Sequence, residues 1–219
     1  MNYTELSNAI QAYTENTETD FVANIPVFVT QAEQRIYNSV QFPSIRKNVT
    51  GSMTTSNKYL QCPTDFLATY SLAVVKANGE YEYLLNKDVN FIRQAYPLPT
   101  DTGLPKYYAL FGPRSDNAAE LTFILGPTPD AAYSSELHYY FYPPSISVAP
   151  FTSWLGDNFD TVLLYASLVE AYTYMKGEVD MMGLYNQKFI EALALAKRLG
   201  DGLERQDAYR SGQFRQVVT

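Results

Sequence analysis

The stretch His138-Tyr139-Tyr140-Phe141-Tyr142-Pro143-Pro144 holds the one histidine of the chain among four aromatics, then stops at two prolines. Its reading decides the fold. Alternate residues of a strand face opposite sides, so Leu137, Tyr139 and Phe141 share one face and His138, Tyr140 and Tyr142 the other. The first set suits a core, the second a half-exposed or interface surface. Two prolines cannot continue a hydrogen-bonded ladder, so the strand ends here. The histidine is therefore read as a strand residue, and the prolines lead the chain into a different kind of structure.

Upstream, Val-, Tyr-, Thr- and Phe-rich runs separated by turn residues reach back to residue 46 and predict antiparallel strands. KYYALFG, ELTFIL and ELHYYFY read as three of them, the last two joined by GPTPDAAYSS. Asn78-Gly79 in VVKANGEYEYLL predicts a type I′ hairpin between strands near 70–77 and 80–85. KDVNFIRQAY predicts a short helix, and PLPTDTGLP is too proline-rich for regular structure.

Downstream, NFDTVLLYASLVEAYTYMKG predicts a helix capped by Asp157 or Asn158 and stopped at Gly177. It is apolar on nearly every side, with Asp160, Ser167 and Glu170 along a narrow polar strip. Such a helix is expected between other elements, with Glu170 facing the strip or paired with a base such as Arg35. Met182, Tyr185, Phe189, Ala192, Leu193 and Ala196 stripe a second helix, which makes an antiparallel hairpin.

The N-terminal part is also helical. Leu6, Ala9, Ile10 and Tyr13 recur at helical spacing over Asn2 to Tyr13. Phe21, Ile25, Phe28, Ala32, Ile36 and Val40 do so in DFVANIPVFVTQAEQRIYNSV. Pro26 removes an internal hydrogen bond, so the pattern predicts a lead-in turn and a main helix starting near it. Gln41-Phe42-Pro43 ends that helix.

The expected fold class is α+β: a helical bundle from the N- and C-terminal segments, an antiparallel β-rich insertion, and an extended C-terminal tail. The boundaries are 1–45 for the N-terminal helices, 46–150 for the insertion, 151–202 for the helical hairpin packing on those helices, and 203–219 for the tail. The tail, LERQDAYRSGQFRQVVT, is polar and lacks a core pattern, which fits a segment ordered by a partner.

Composition narrows the function. The net charge is −7, and residues 1–44 carry Glu5, Glu15, Glu18, Asp20 and Glu33 against Arg35 alone. No basic patch with interleaved aromatics is present, which argues against sequence-specific nucleic-acid binding. Cys62 has no partner for a disulfide, and HExxH, CxxC and EF-hand patterns are absent, so neither metal nor cofactor is expected. Without a GxSxG elbow or a thiolate-stabilising neighbour of Cys62, the chain reads as no enzyme. The N-terminus lacks a signal-peptide pattern, and no run approaches a membrane span, so the chain reads as cytosolic in origin and soluble. Nineteen tyrosines suit extensive interface surface. A glycan-binding platform on a virion or secreted particle is the alternative, although the single Trp154 lies outside the strands.

Several stretches carry a resemblance. They are Ile25-Pro26 with Ala32-Glu33-Gln34-Arg35-Ile36, then YLQCPTDFLATYSLAVV, GLPKYYALFG, ILGPTPD, ELHYYFYPPSIS and SWLGDNFDTVLLYASLVEAYTYMKG. In this order they resemble the head-to-tail adaptor (connector) proteins of short-tailed bacteriophages, with Cys62 where that family has leucine. The resemblance implies a structural virion protein, made in the host cytoplasm. It implies a homo-oligomeric, dodecameric ring that joins the portal protein to the tail nozzle, offers docking to tail fibres, and extends a channel through which DNA passes. It further implies that the C-terminal extension reaches the portal, with Tyr209 and Phe214 as anchors beside Arg205, Arg210 and Arg215. Aromatic and arginine residues are the side chains that most often dominate such contacts.

Overall fold

The computed structural model describes residues 1–112 and 121–210, with side chains as far as residue 198. By contacts the chain divides into two compact units: residues 1–45 with 142–219, and residues 46–141.

The first unit is helical. Helix α1 (Tyr3–Thr14) opens on a capping box, in which the Asn2 side chain accepts from the Glu5 N–H and the Glu5 carboxylate accepts from the Asn2 N–H. Leu6 and Ile10 are its buried positions. Helix α2 (Thr19–Ser39) runs unbroken through Pro26, contrary to the predicted start at the proline. The reason is burial on both sides of it. Phe21 and Ile25 before the proline, and Phe28, Val29, Ala32 and Ile36 after it, lie on one sealed face. Each of these but Ala32 contributes about 1.5–3 kcal/mol, and together they outweigh the ~3 kcal/mol cost of an internal proline. A 3-10 turn, Pro43–Ile45, leads out of the unit.

The chain returns at Tyr142. Helix α4 (Trp154–Asn158) is capped by Ser153, and helix α5 (Asp160–Met175) follows after Phe159 alone. The predicted caps Asp157 and Asn158 therefore lie inside α4, and Phe159, without a side-chain bond, is the cap of α5. Helix α5 packs against α1, α2, α4 and α6, as its all-round apolarity requires. Ser167 on its polar strip is fully buried and donates to the Leu163 carbonyl at 2.8 Å. Lys176 takes the left-handed conformation at the end of α5, and the Gly177 N–H bonds back to Tyr172.

Helix α6 (Val179–Arg210) is longer than its stripe predicts. Gly200-Asp201-Gly202 does not stop it, so residues 203–210 of the predicted extended tail are helical. Glycine costs only about 1 kcal/mol in a helix interior, and both glycines lie within the helix. Tyr185 anchors α6 against the rings of Tyr13, Tyr165 and Tyr172, and burial pushes its hydroxyl up to about 12.

Among the described residues, the second unit contains two four-stranded sheets. One has the order β1-β8-β3-β4, from Arg46–Ser52, Ser134–Tyr140, Ala68–Val75 and Tyr81–Tyr83, all antiparallel. The other has the order β2-β7-β6-β5, from Tyr59–Gln61, Thr122–Gly126, Tyr107–Phe111 and Leu85–Asn86. Its β5–β6 pair is parallel, which a tight hairpin could not make. Helix α3 (Val89–Ala95) and the proline-rich loop after it supply the crossover.

The Asn78-Gly79 turn is not type I′. Gly79 has φ +83° and Asn78 is not left-handed. The Lys76 N–H bonds to the Glu80 carbonyl and the Gly79 N–H to the Lys76 carbonyl, leaving a three-residue loop with its left-handed residue last.

The inner faces share one core. Met53, Cys62, Leu72, Val74, Tyr108, Phe123, Leu125, Leu137 and Tyr139 meet there, with Phe66 and Phe141 at its margin. Ala109 and Ile124 point the other way, into a second cluster with Ile92 of α3. The sheet holding β7 is thus covered on both faces, and β7 is buried throughout. Strand β8 instead alternates, with Ser135, Leu137 and Tyr139 buried and Glu136, His138 and Tyr140 half-buried, as HYYFYPP predicts.

Candidate assembly surfaces

Of the five sequence-predicted contact residues, Arg205, Tyr209 and Arg210 lie in the last turns of α6. Phe214 and Arg215 lie outside the described residues.

The groups that could do chemistry are engaged in structure. His138 Nδ1 is 3.4 Å from Ser71 Oγ and its Nε2 is 3.7 Å from the Glu136 carboxylate. Ser71 sits mid-strand at a register shift in β3, not on the sharp strand-to-helix turn that presents a serine nucleophile. Burial pushes the Cys62 thiol up to about 12, far from a thiolate at neutral pH. Among the described residues, no group of three or more His, Cys, Asp or Glu could hold a metal ion. No helix in the described residues is long and apolar enough to cross a membrane.

The Ala32-Glu33-Gln34-Arg35-Ile36 motif has a visible job. Glu33 is buried, and its Oε1 accepts the Ile146 N–H at 3.0 Å, two residues past Pro143-Pro144. Burial raises its carboxyl, with the bonds from Ser145 and Ile146 opposing. Burial and the nearby Glu33 push the Tyr37 hydroxyl well above the phenol range. Arg35 forms a 2.5 Å ion pair with Glu170, the partner expected from sequence. The motif thereby holds α2 to both the returning chain and α5. The role of Glu33 was hidden in the sequence because the donor its carboxylate accepts from is a backbone N–H far along the chain.

YLQCPTDF likewise positions Asp65, which accepts from Lys47 Nζ at 2.7 Å and from the Tyr139 hydroxyl at 2.8 Å. Burial favours the neutral acid, but these two bonds outweigh it and hold the Asp65 carboxyl below its usual range.

The outer face of the β1-β8-β3-β4 sheet is aromatic. Tyr70, Tyr81 and Tyr83 are exposed by 54%, 51% and 62%, too much for core residues. The Arg46 guanidinium lies 5.2 Å from the Tyr70 ring centre and 5.9 Å from that of Tyr140. Asn48 donates to Glu136 at 2.5 Å, and a hydrogen bond to Glu136 raises the Tyr81 hydroxyl. Exposed tyrosines beside a half-buried arginine are typical of a protein-binding surface.

A search of curated proteins finds no match to the sequence. The family model described as SU10 adaptor protein matches residues 1–216. That span takes in both units, the Glu33–Arg35 motif and the whole described length of α6. The chain therefore belongs to the SU10 adaptor protein family, whose members are structural adaptors of phage.

Proposed function

We propose that this adaptor assembles as a dodecameric ring that joins the portal protein to the tail nozzle in the virion, offers docking to tail fibres and continues the DNA channel. The family match over residues 1–216 is the observation that supports this reading. The engaged state of His138, Cys62 and Glu33 suits an assembly protein rather than a catalyst. In this reading Arg205, Tyr209, Arg210, Phe214 and Arg215 contact the portal. DNA passes the lumen without sequence-specific binding, because exposed acids repel phosphate. Glu15, Glu18 and Asp20 are exposed and available for that role, whereas Glu33 is buried and is not.

The test is co-purification with the portal protein of the same phage, followed by native mass measurement and electron microscopy. A closed twelvefold ring on the portal is expected; a chain that stays monomeric beside the portal overturns the proposal. Deleting residues 203–219 is expected to abolish portal binding while the far-UV circular dichroism keeps its α+β form. Normal binding after the deletion would remove the tail from the contact. A lumen lined mainly by Lys and Arg would remove the repulsion.

A further inference from the structure

We infer that neighbouring copies join edge to edge through the β1-β8-β3-β4 sheet, with β1 of one copy laid against β4 of the next. The inference rests on the ring reading and names one contact within it.

The two edges are open and of matching direction. Among the described residues no strand pairs with the outer edge of β1 or β4. Residues Lys47 to Ser52 of β1 are all exposed. An uncovered edge is a template for another strand. Three successive antiparallel pairings leave β1 antiparallel to β4. A copy related by rotation about a ring axis thus brings its β1 antiparallel to its neighbour's β4, and the alternation continues through the joint. Such a head-to-tail contact uses two different surfaces and closes when the rotation closes.

Hydrogen-bond polarity restricts the register. The Met53 N–H bonds to the Tyr133 carbonyl at 2.8 Å, extending the β1–β8 ladder. Antiparallel ladders alternate, so Gly51 and Val49 also turn their backbone groups toward β8, while Asn48 and Thr50 turn theirs outward. On β4, the Lys76–Glu80 and Leu84–Leu72 bonds commit Glu80, Glu82 and Leu84 to β3. Tyr81 and Tyr83 therefore point their N–H and C=O outward.

Side-chain faces and charge then select one register. Lys47 shares the core side with Val49, and Glu82 lies opposite the buried Val74 on that same side. Placing Lys47 against Glu82 of the next copy sets Asn48 against Tyr81, with both backbones aimed into the new ladder. A one-residue slip breaks the face match and the hydrogen-bond match together. A two-residue slip puts Val49 against Glu82 and loses the ion pair. Within one copy Lys47 holds Asp65 at 2.7 Å and Glu82 holds Lys76 at 2.8 Å. Docking in the selected register orders these four groups as an alternating row, Asp65-Lys47 followed by Glu82-Lys76. Because β4 spans only Tyr81–Tyr83, the ladder is short and contributes as one contact of a ring.

The test is disulfide trapping in the adaptor ring assembled on its portal. In one copy Glu82 is level with Gly51 across the sheet, so position 47 lies three strand spacings across and four residues along from position 82, roughly 20 Å, beyond the reach of a disulfide. Lys47→Cys with Glu82→Cys in the same chain should give, on oxidation, a series of covalent multimers. An equal mixture of the two single variants should stop at dimers. Closed rings without cross-links, or equal cross-linking by Gly51→Cys with Glu82→Cys, overturn the edge contact and leave the ring reading standing. No ring from the unmodified protein overturns both. Asn48→Pro removes an outward N–H and spares the β8 ladder. It should leave the monomer's circular dichroism unchanged and lower ring yield at least tenfold; normal yield overturns the inference.

Discussion

At the scale of the residue, Glu33 is the most consequential side chain. Its buried carboxylate accepts from the Ile146 N–H and from the Ser145 side chain, and so fixes where the chain re-enters the helical unit. Glu33→Ala leaves that N–H buried without its acceptor and should cost about 1–3 kcal/mol in denaturant melts. Its pH dependence has a definite sign. Burial raises the carboxyl above its ordinary 4.5, so the native state holds this proton more tightly than the unfolded chain. The resulting stabilisation is complete below the ordinary value and is lost as pH rises through the raised one. Wild-type stability should fall across that window relative to Glu33→Gln, which has no proton to lose; parallel profiles would show that Glu33 does not titrate there. Cys62 gives a second expectation. With its thiol pushed up to about 12 and shielded in the core, it should resist a thiol reagent at pH 8 until the protein unfolds. Neither residue announces its role in sequence, since burial and partner are tertiary properties. His138 is the converse case, because strand alternation alone placed it on the outer face.

At the scale of the element, the helices and strands were legible wherever one face was buried and the other wet. Helix α1, strand β8 and the buried Tyr185, Phe189 and Ala196 of α6 follow their periodicity. Departures arose where a local signal competed with packing. Pro26 lost to the apolar face of α2, and Gly200 and Gly202 did not end α6. At the hairpin, Gly79 was correctly read as left-handed, but pairing of Lys76 with Glu80 set the loop length. Glycines in the short helix α4 and in α6 allow a direct comparison. A Cβ at Gly156 would meet the Met1 carbonyl at 2.5 Å and Ile146 at 2.7 Å, whereas at Gly183 it meets nothing within 4 Å. Gly156→Ala also disturbs the N-terminal amine, which donates to the Gly156 carbonyl at 2.8 Å. It should lower stability by about 1–3 kcal/mol, while Gly183→Ala should raise it by about 0.5–1 kcal/mol. Thermal melts of the two variants shifting in the same direction would contradict this account.

At the scale of the whole molecule, the β unit begins and ends on neighbouring strands, since Arg46 of β1 pairs with Tyr140 of β8. It also carries its own core, from Met53 to Tyr139. Excised as residues 46–141, it should fold alone and unfold in one cooperative transition; a fragment lacking such a transition would show that it needs the helical unit. The sequence by itself determined the order of helix, strand and helix, the end of β8 ahead of Pro143-Pro144, the inner and outer faces of β8, and the family resemblance. Those depend on periodicity and local backbone chemistry, which act over a few residues. Only the tertiary structure decided the strand order, the parallel β5–β6 pair, the burial of Glu33 against Ile146 and the two open edges at β1 and β4. These join residues far apart in the chain, and which distant partners meet is set by the packing of whole faces, a property that no short stretch carries.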